Sequence, residues 1–470
     1  MGDRNVLLIL ADQHTPRVLG AYGNRQVCTP NLDALSRDGL RFDAAYCNSP
    51  LCAPSRASLV TGRYVHQLAT WDNAAPYTGA EASSWGALAT RHGVEVTTIG
   101  KLHFRNTEDP TGFPDQRLAM HVANGTGDPY PLLRGRMRTN PSERAALLAA
   151  GPGDCPYDRY DADIAAEAVR YLTHEASADR PWLLTVSFLR PHDPYVVPPR
   201  YWEQYAGEAL PLPPAWAADS WPRHPGYELR RRLTDTETGL TEQEIRRVLH
   251  AYYALVTETD DHVGQVLDAL ARRADAGTTT VIYTADHGDM LGAHGLWTKM
   301  TMYEDSVRVP LIVARPGSAA GVVDAPVSLV DLYPTIRDLL DLPRAAEDAD
   351  LPGQSLLAAD DTPVFAELHA SYAPSAVYML RTARHKLIHH VGAPPQLFDL
   401  DHDPDELDDL ADRPEHATTL AELTARLERI VDPAGTDRAA KQSQQTRIDR
   451  AGGAAALAAR GIGVHFTPVP

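Results

Sequence analysis

Apolar and polar positions along the chain follow two rhythms. Short runs at 6–10, 94–99, 182–188 and 278–284 are apolar or threonine-rich and read as strands, while longer stretches between them carry helical spacing. The clearest helix covers 242–273. Thr241 and Glu244 form a T-x-x-E capping box, and Ile245, Val248, Leu249, Tyr252, Leu255 and Val256 recur on one face. Gly277 ends that segment and a strand run follows at once. Strand runs alternating with helices predict an α/β fold whose mostly parallel sheet is covered by helices. Beyond about residue 350 the texture changes to short runs at 363–368, 376–380 and 385–388, which read as a smaller antiparallel sheet. The expected division is therefore a large α/β domain over 1–350, a C-terminal α+β subdomain over 351–435, and a tail over 436–470. The tail is rich in Ala, Gln and Arg and reads as an arm onto a neighbouring subunit or a frayed end, so a homo-oligomer is expected. The acidic stretch Asp399 to Glu406 reads as a solvated turn with capping carboxylates.

Charge narrows the partners. With 44 Lys+Arg against 62 Asp+Glu the chain carries a formal −18, which disfavours nucleic acid and anionic membrane, and any anionic substrate has to meet a local concentration of cations. No apolar run reaches the roughly 20 residues that span a bilayer. The run after Met1-Gly2-Asp3-Arg4 is short, lacks a basic leader and is followed by Asp12, so it reads as a strand and not a signal peptide; a cytoplasmic location is expected. Four cysteines, Cys28, Cys47, Cys52 and Cys155, do not make a disulfide framework in a chain of this length. Two stretches, 106–158, rich in Gly, Pro and Asp, and 201–227, rich in Pro, read as loops over a pocket, the second bringing Trp202, Trp216 and Trp221 as apolar or cation–π walls.

Polar clusters follow the strand runs, where α/β folds place their sites. Asp12-Gln13-His14 comes directly after the first run, and Asp286-His287-Gly288-Asp289 after the fourth. Carboxylate and amide oxygens suit Ca²⁺, Mg²⁺ or Mn²⁺, and a histidine nitrogen tilts the choice towards Mn²⁺. Pro54 suits the first turn of a helix, which sets Cys52 at a helix N-terminus with Arg56 close by, a place that favours an anion. Alone, such a cysteine reads either as a thiol nucleophile or as a small buried residue.

The complete string is more specific. Cys52-Ala53-Pro54-Ser55-Arg56 followed by Thr61-Gly62-Arg63 matches C-x-P-S-R with T-G-R, and on it the chain resembles the type I, formylglycine-dependent sulfatases. Asp12-Gln13, Gly100-Lys101-Leu102-His103, Pro191-His192-Asp193-Pro194-Tyr195, Asp286-His287-Gly288-Asp289 and Lys299 extend the likeness over nearly the whole chain. Pro50-Leu51 before the motif, Asp72-Asn73-Ala74-Ala75, Ser187-Phe188 and Asp289-Met290-Leu291-Gly292 make it most similar to the choline-sulfatase and phosphonate-monoester-hydrolase branch. The resemblance implies an alkaline-phosphatase-like fold with a large, mixed, mostly parallel sheet. It also implies one divalent cation, Ca²⁺ or Mn²⁺, held by Asp12, Gln13, Asp286 and His287 together with Cys52, which a formylglycine-generating enzyme would convert to Cα-formylglycine. By the same likeness Arg56 orients the nucleophile, Lys101 and Lys299 neutralise ester oxygens, His192 protonates the leaving alcohol with His103 as a candidate to share the task, and Asn73 donates its amide to the substrate. The implied reaction is hydrolysis of a small anionic sulfate monoester. Phosphonate monoester or phosphodiester hydrolysis at the same site is the alternative. A non-catalytic binding protein on this fold would be expected to have lost a metal carboxylate or the modifiable cysteine, and both are retained.

Overall fold

A computed structural model describes residues 5–358, 362–462 and 467–470; the leading Met1-Gly2-Asp3-Arg4 and part of the tail lie outside them. Eight strands form the main sheet: β1 (Asn5–Asp12), β2 (Leu40–Phe42), β3 (Glu95–Lys101), β4 (Asp115–Met120), β5 (Trp182–Pro191), β6 (Thr279–Ala285), β7 (Leu311–Ala314) and β8 (Gly321–Val323). Their order across the sheet is β8-β2-β7-β6-β1-β5-β3-β4. Only β7 pairs antiparallel with its neighbours, so the sheet is mixed and mostly parallel. Helices cover it, which is why β1 reads as a continuous apolar run: Val6, Leu7, Leu8 and Ile9 are all fully buried. Helix α2 (Pro156–His174) packs on β5 and on α3 (Glu242–Ala271), and the Thr241–Glu244 capping box forms as its sequence predicts.

The four strand runs read from sequence are all strands, and each runs past the carboxyl end of its apolar stretch. β3 continues to Lys101 and β5 to Pro191, carrying polar residues to the carboxyl edge of the sheet. Gly100 makes the first extension feasible. Its φ is +99°, and a Cβ there would lie 2.2 Å from the Ser187 carbonyl oxygen of β5. The motif helix α1 (Cys52–Thr61) is buried on every side, Arg56 included. It stops at Gly62, whose φ of +66° forms a left-handed C-cap with N–H donated to the Ser58 carbonyl. Thr61-Gly62 is thus the helix terminator, and Arg63 reaches away from the site to the Glu347 carbonyl and Asp350.

The C-terminal sheet has four antiparallel strands: β9 (Val364–Leu368), β10 (Val377–Arg381), β11 (His385–His390) and β12 (Gln396–Asp399). The fourth escaped the sequence reading because it is short and runs into the acidic stretch. That stretch is not wholly solvated. Asp403 caps the Leu407 and Asp408 amides as a turn carboxylate should, but Glu406 is buried against Lys386, which also holds Glu304 at 2.9 Å. α4 (Ala417–Ile430), α5 (Pro433–Arg450) and α6 (Ala454–Arg460) follow. The segment expected as an arm or a frayed end lies against its own chain. Arg447 and Gln444 of α5 hold Asp72, and Asp437 holds Arg134.

Glu367 on β9 is buried between His66 and His369, at 2.9 and 2.7 Å. Burial pushes its carboxyl up, but the two imidazoles outweigh that and bring it down to about 2, while His66 is raised by Glu367 against its own burial. The carboxylate's contribution to stability is complete above the unfolded value of 4.5 and is lost as pH falls towards about 2; that of His66 is complete below 6.5 and is lost as pH rises past its raised value. Glu367→Gln is therefore expected to cost about 3 kcal/mol near pH 5.5, with the gap narrowing near pH 3. Urea midpoints of both proteins at the two pH values check this, and a pH-independent gap would contradict it.

Candidate active site

Loops leaving the carboxyl ends of β1, β3, β5 and β6 converge on the N-terminus of α1, as parallel α/β sheets arrange. One acceptor atom from each of Asp12, Cys52, Asp286 and His287 lies within 4.8 Å of the others, and all four residues are buried. Cys52 Sγ is 3.2 Å from His287 Nε2, 3.1 Å from Lys299 Nζ and 3.9 Å from Asp12 Oδ1. Arg56 spans the two carboxylates, donating from Nε to Asp286 Oδ2 at 2.8 Å and from Nη2 to Asp12 Oδ2 at 3.2 Å. Its Nη1 ties in the Lys101 carbonyl and Ser187 Oγ. Lys101 Nζ donates to Asp12 Oδ2.

Two further details suit a cation. His287 Nδ1 sits 3.1 Å from the Gly288 carbonyl, which can only accept, so Nδ1 carries the hydrogen and Nε2 turns a lone pair towards the cluster. Gln13 has φ +66° and donates its backbone N–H to Asp286 Oδ1, and its Nε2 donates to Asp193 Oδ1 and Asp289 Oδ2. Those bonds fix the amide's orientation and leave the buried Oε1 without a hydrogen-bond partner. A buried acceptor is rarely left so, and an oxygen beside two carboxylates and an imidazole is a ligand set for a hard divalent ion. Asp289 serves as the brace for Gln13, also accepting from Tyr195 Oη at 2.6 Å and from the Leu291 amide.

Above Cys52 lies a pocket of about 190 Å³. Lys101, His103, His192, Lys299 and Asn73 all line it, so every residue to which the resemblance gives a metal, catalytic or substrate role lies in the cluster, beside it or on its wall. His192 Nδ1 is 2.6 Å from the Asp193 carbonyl and Nε2 is 2.7 Å from Lys299 Nζ. Asn73 Oδ1 accepts the Ala53 amide at the start of α1, which leaves its NH₂ for a ligand. Burial would raise the Cys52 thiol, but the Lys101 and Lys299 ammonium groups reverse this and hold it well below its usual value. Burial and Lys101 push His103 down to about 4. His192 is raised: burial and Lys299 pull it down, and Asp193 and Asp12 outweigh them.

The wall also holds groups that motif reasoning missed: Glu143, Tyr157, Tyr372, Ile462 and Thr467. Thr467 Oγ1 lies 3.3 Å from His103 Nε2, and its carbonyl accepts from Tyr157 Oη, so the tail borders the site of its own chain. Of the two stretches read as pocket loops, 106–158 does contribute, although it contains the edge strand β4; 201–227 does not line this pocket. Its tryptophans are packed elsewhere: Trp202 stacks on His250 at 3.7 Å, and Trp221 lies under Arg231.

Comparison with known proteins agrees with this geometry. Residues 4–342 match the family model described as Sulfatase, and residues 292–432 the one described as N-sulphoglucosamine sulphohydrolase, C-terminal. The chain belongs to the sulfatase family. It is 33% identical over 448 residues to a choline-sulfatase of Rhizobium meliloti (strain 1021), covering 90% of this chain and 85% of that protein. To arylsulfatase K of Gallus gallus it is 33% identical over 445 residues, covering 87% and 79%. Among solved structures, the phosphonate monoester hydrolase of Agrobacterium radiobacter superposes with a TM-score of 0.73 at 25% identity, covering 91% of this chain and 95% of that one. The sulfatase is thus an alkaline-phosphatase-like α/β protein near the choline-sulfatase and phosphonate-monoester-hydrolase branch, and a sulfuric ester hydrolase. Among the described residues no helix is long and apolar enough to cross a membrane.

Proposed function

We propose that this sulfatase hydrolyses the sulfate monoester of a small alcohol, with Cys52 converted to Cα-formylglycine and one divalent cation held by Asp12, Gln13, Asp286 and His287. The observation that carries the reading is the position of Cys52 Sγ, at the meeting point of Asp12, His287 and Lys299 beneath a small pocket. When present, the cation supplies Lewis acidity and the hydrated aldehyde a nucleophilic hydroxyl. The chain's own residues do the rest. Arg56 bridges both carboxylates and keeps them aimed at residue 52. Lys101 and Lys299 bring positive charge to the ester oxygens as negative charge grows on them. His192 delivers a proton from Nε2 to the departing alcohol oxygen, a role its raised pKa supports, whereas His103 is held neutral and packs beside residue 52. Asn73 offers its NH₂ to the ester.

Conversion of the Cys52 thiol to an unhydrated aldehyde lowers the mass by about 18 Da. Intact-protein mass spectrometry of active enzyme is expected to show that loss, and full activity with unmodified Cys52 would contradict the reading. Chelation is expected to cut turnover by more than about a hundredfold, with Mn²⁺ or Ca²⁺ restoring it. The likeness to a phosphonate monoester hydrolase favours phosphonate monoesters as a second substrate class, since those esters also carry a single negative charge. Side-by-side kcat/KM for aryl sulfate, aryl phosphonate monoester and bis-aryl phosphodiester decides the order. A preference above about a hundredfold for either phosphorus ester, roughly 2.7 kcal/mol, would reverse it.

A further inference from the structure

The loop that carries His192 is held from inside by a residue no motif marks. Arg190, at the end of β5, is fully buried. Its Nη1 donates to the His192 carbonyl at 3.0 Å and to the Pro194 carbonyl at 2.9 Å, and its Nη2 to the Val196 carbonyl at 2.8 Å. Asp158 of α2 neutralises it, accepting from Nε at 2.8 Å and from Nη2. Asp161, one turn further along α2, accepts the backbone amides of Leu189 and Arg190, both at 2.8 Å. One carboxylate therefore grips the entry to the loop through its N–H groups, and one guanidinium grips the loop through its carbonyls.

The geometry of that grip concerns one atom. The two carbonyls on Nη1 belong to the residues on either side of Asp193, so a single nitrogen pins the His192–Asp193 and Pro194–Tyr195 peptides, which bracket the Asp193 carbonyl. The Asp193 carbonyl is the group that receives His192 Nδ1–H at 2.6 Å. A carbonyl can only accept, so its placement decides which ring nitrogen keeps its hydrogen inward and which one, Nε2, faces Lys299 and the pocket. Five donors in a rigid fork suit this task; a lysine's single point charge could not hold three carbonyls in fixed directions.

We propose that Arg190 is a positioning residue that aims the His192 imidazole by fixing the Asp193 carbonyl. This rests on the reading of His192 as the proton donor to the leaving alcohol. A misdirected donor slows reactions with poor leaving groups and hardly affects those whose leaving group needs no proton, so the two kinds of loss are separable.

The test is kcat/KM across aryl esters whose leaving phenols span pKa values from about 7 to about 10, using aryl sulfates or, if those turn over faster, aryl phosphonates. Arg190→Met is expected to lose at least about a hundredfold more on the poorest leaving group than on the best. Because that variant strands the half-buried Asp158 carboxylate, Arg190→Met/Asp158→Asn is measured beside it, removing both charges together. His192→Ala is the control. If it steepens the leaving-group dependence and the Arg190 variants do not, or if they lose equally across the series, the positioning role is overturned while the proton-donor reading stands. If His192→Ala shows no steepening, the proton-donor reading falls and the proposal with it. Failure of both Arg190 variants to fold would make Arg190 a structural residue and also overturn the proposal.

Discussion

Cys52→Ala is expected to abolish turnover, by about 10⁴-fold or more, while the protein keeps its fold. The side chain is buried at the N-terminus of α1, and alanine is compatible with that position in a helix that is buried all round. The cations left without a thiolate keep other partners: Lys101 has Asp12, and Lys299 lies on His192. Stability should therefore change by no more than about 1 kcal/mol. Urea midpoints and kcat/KM measured on the same preparation separate the two effects. Residual activity within tenfold of wild type would remove residue 52 from the reaction.

Asp12→Asn should be costly in two currencies at once. Asp12 is fully buried, its carboxyl lies well below the ordinary range because Lys101, His192 and Arg56 outweigh both burial and the Cys52 charge, and it faces the open lone pair of His287. An asparagine keeps the shape but leaves Lys101 and Arg56 short of a counter-charge, a loss of about 3 kcal/mol for a buried pair. It also removes one of two carboxylates from the ligand set, so metal content should fall to about a tenth or less and kcat/KM by about 10³ or more. Elemental analysis of the purified variant, alongside its turnover, checks this. Full metal content with near-normal activity would show that Asp12 is no ligand.

Much of this site could be read from the chain because its chemistry is concentrated where strands end. Asp12 and Asp286 each follow an apolar run directly, and Lys101 and His192 sit at or just after the ends of β3 and β5, so the topology brings together residues separated by 274 positions between Asp12 and Asp286. The motif helix is equally local, with its start at Cys52 and its stop at Gly62 inside one short string. What was missed is set by long-range packing with no local signature. Arg190 looks like any basic residue before a proline until its three carbonyl partners are seen. Thr467 lies 3.3 Å from His103, a residue 364 positions away along the chain, and no local pattern announces that pairing. The tryptophan-rich stretch misled for the same reason: exposed-looking aromatics in a Pro-rich loop are equally suited to line a pocket or to stack on a histidine, and here Trp202 stacks on His250.

In the proposed function, Asp12, Gln13, Asp286 and His287 gather one cation beside residue 52. X-ray data collected at the manganese absorption edge, on active enzyme matured to formylglycine and crystallised with Mn²⁺, test it directly. A single anomalous peak is expected within about 2.6 Å of oxygens from both Asp12 and Asp286, next to an oxidised residue 52. A peak elsewhere in crystals of enzyme that still turns over substrate, with only water between the two carboxylates, would contradict the account.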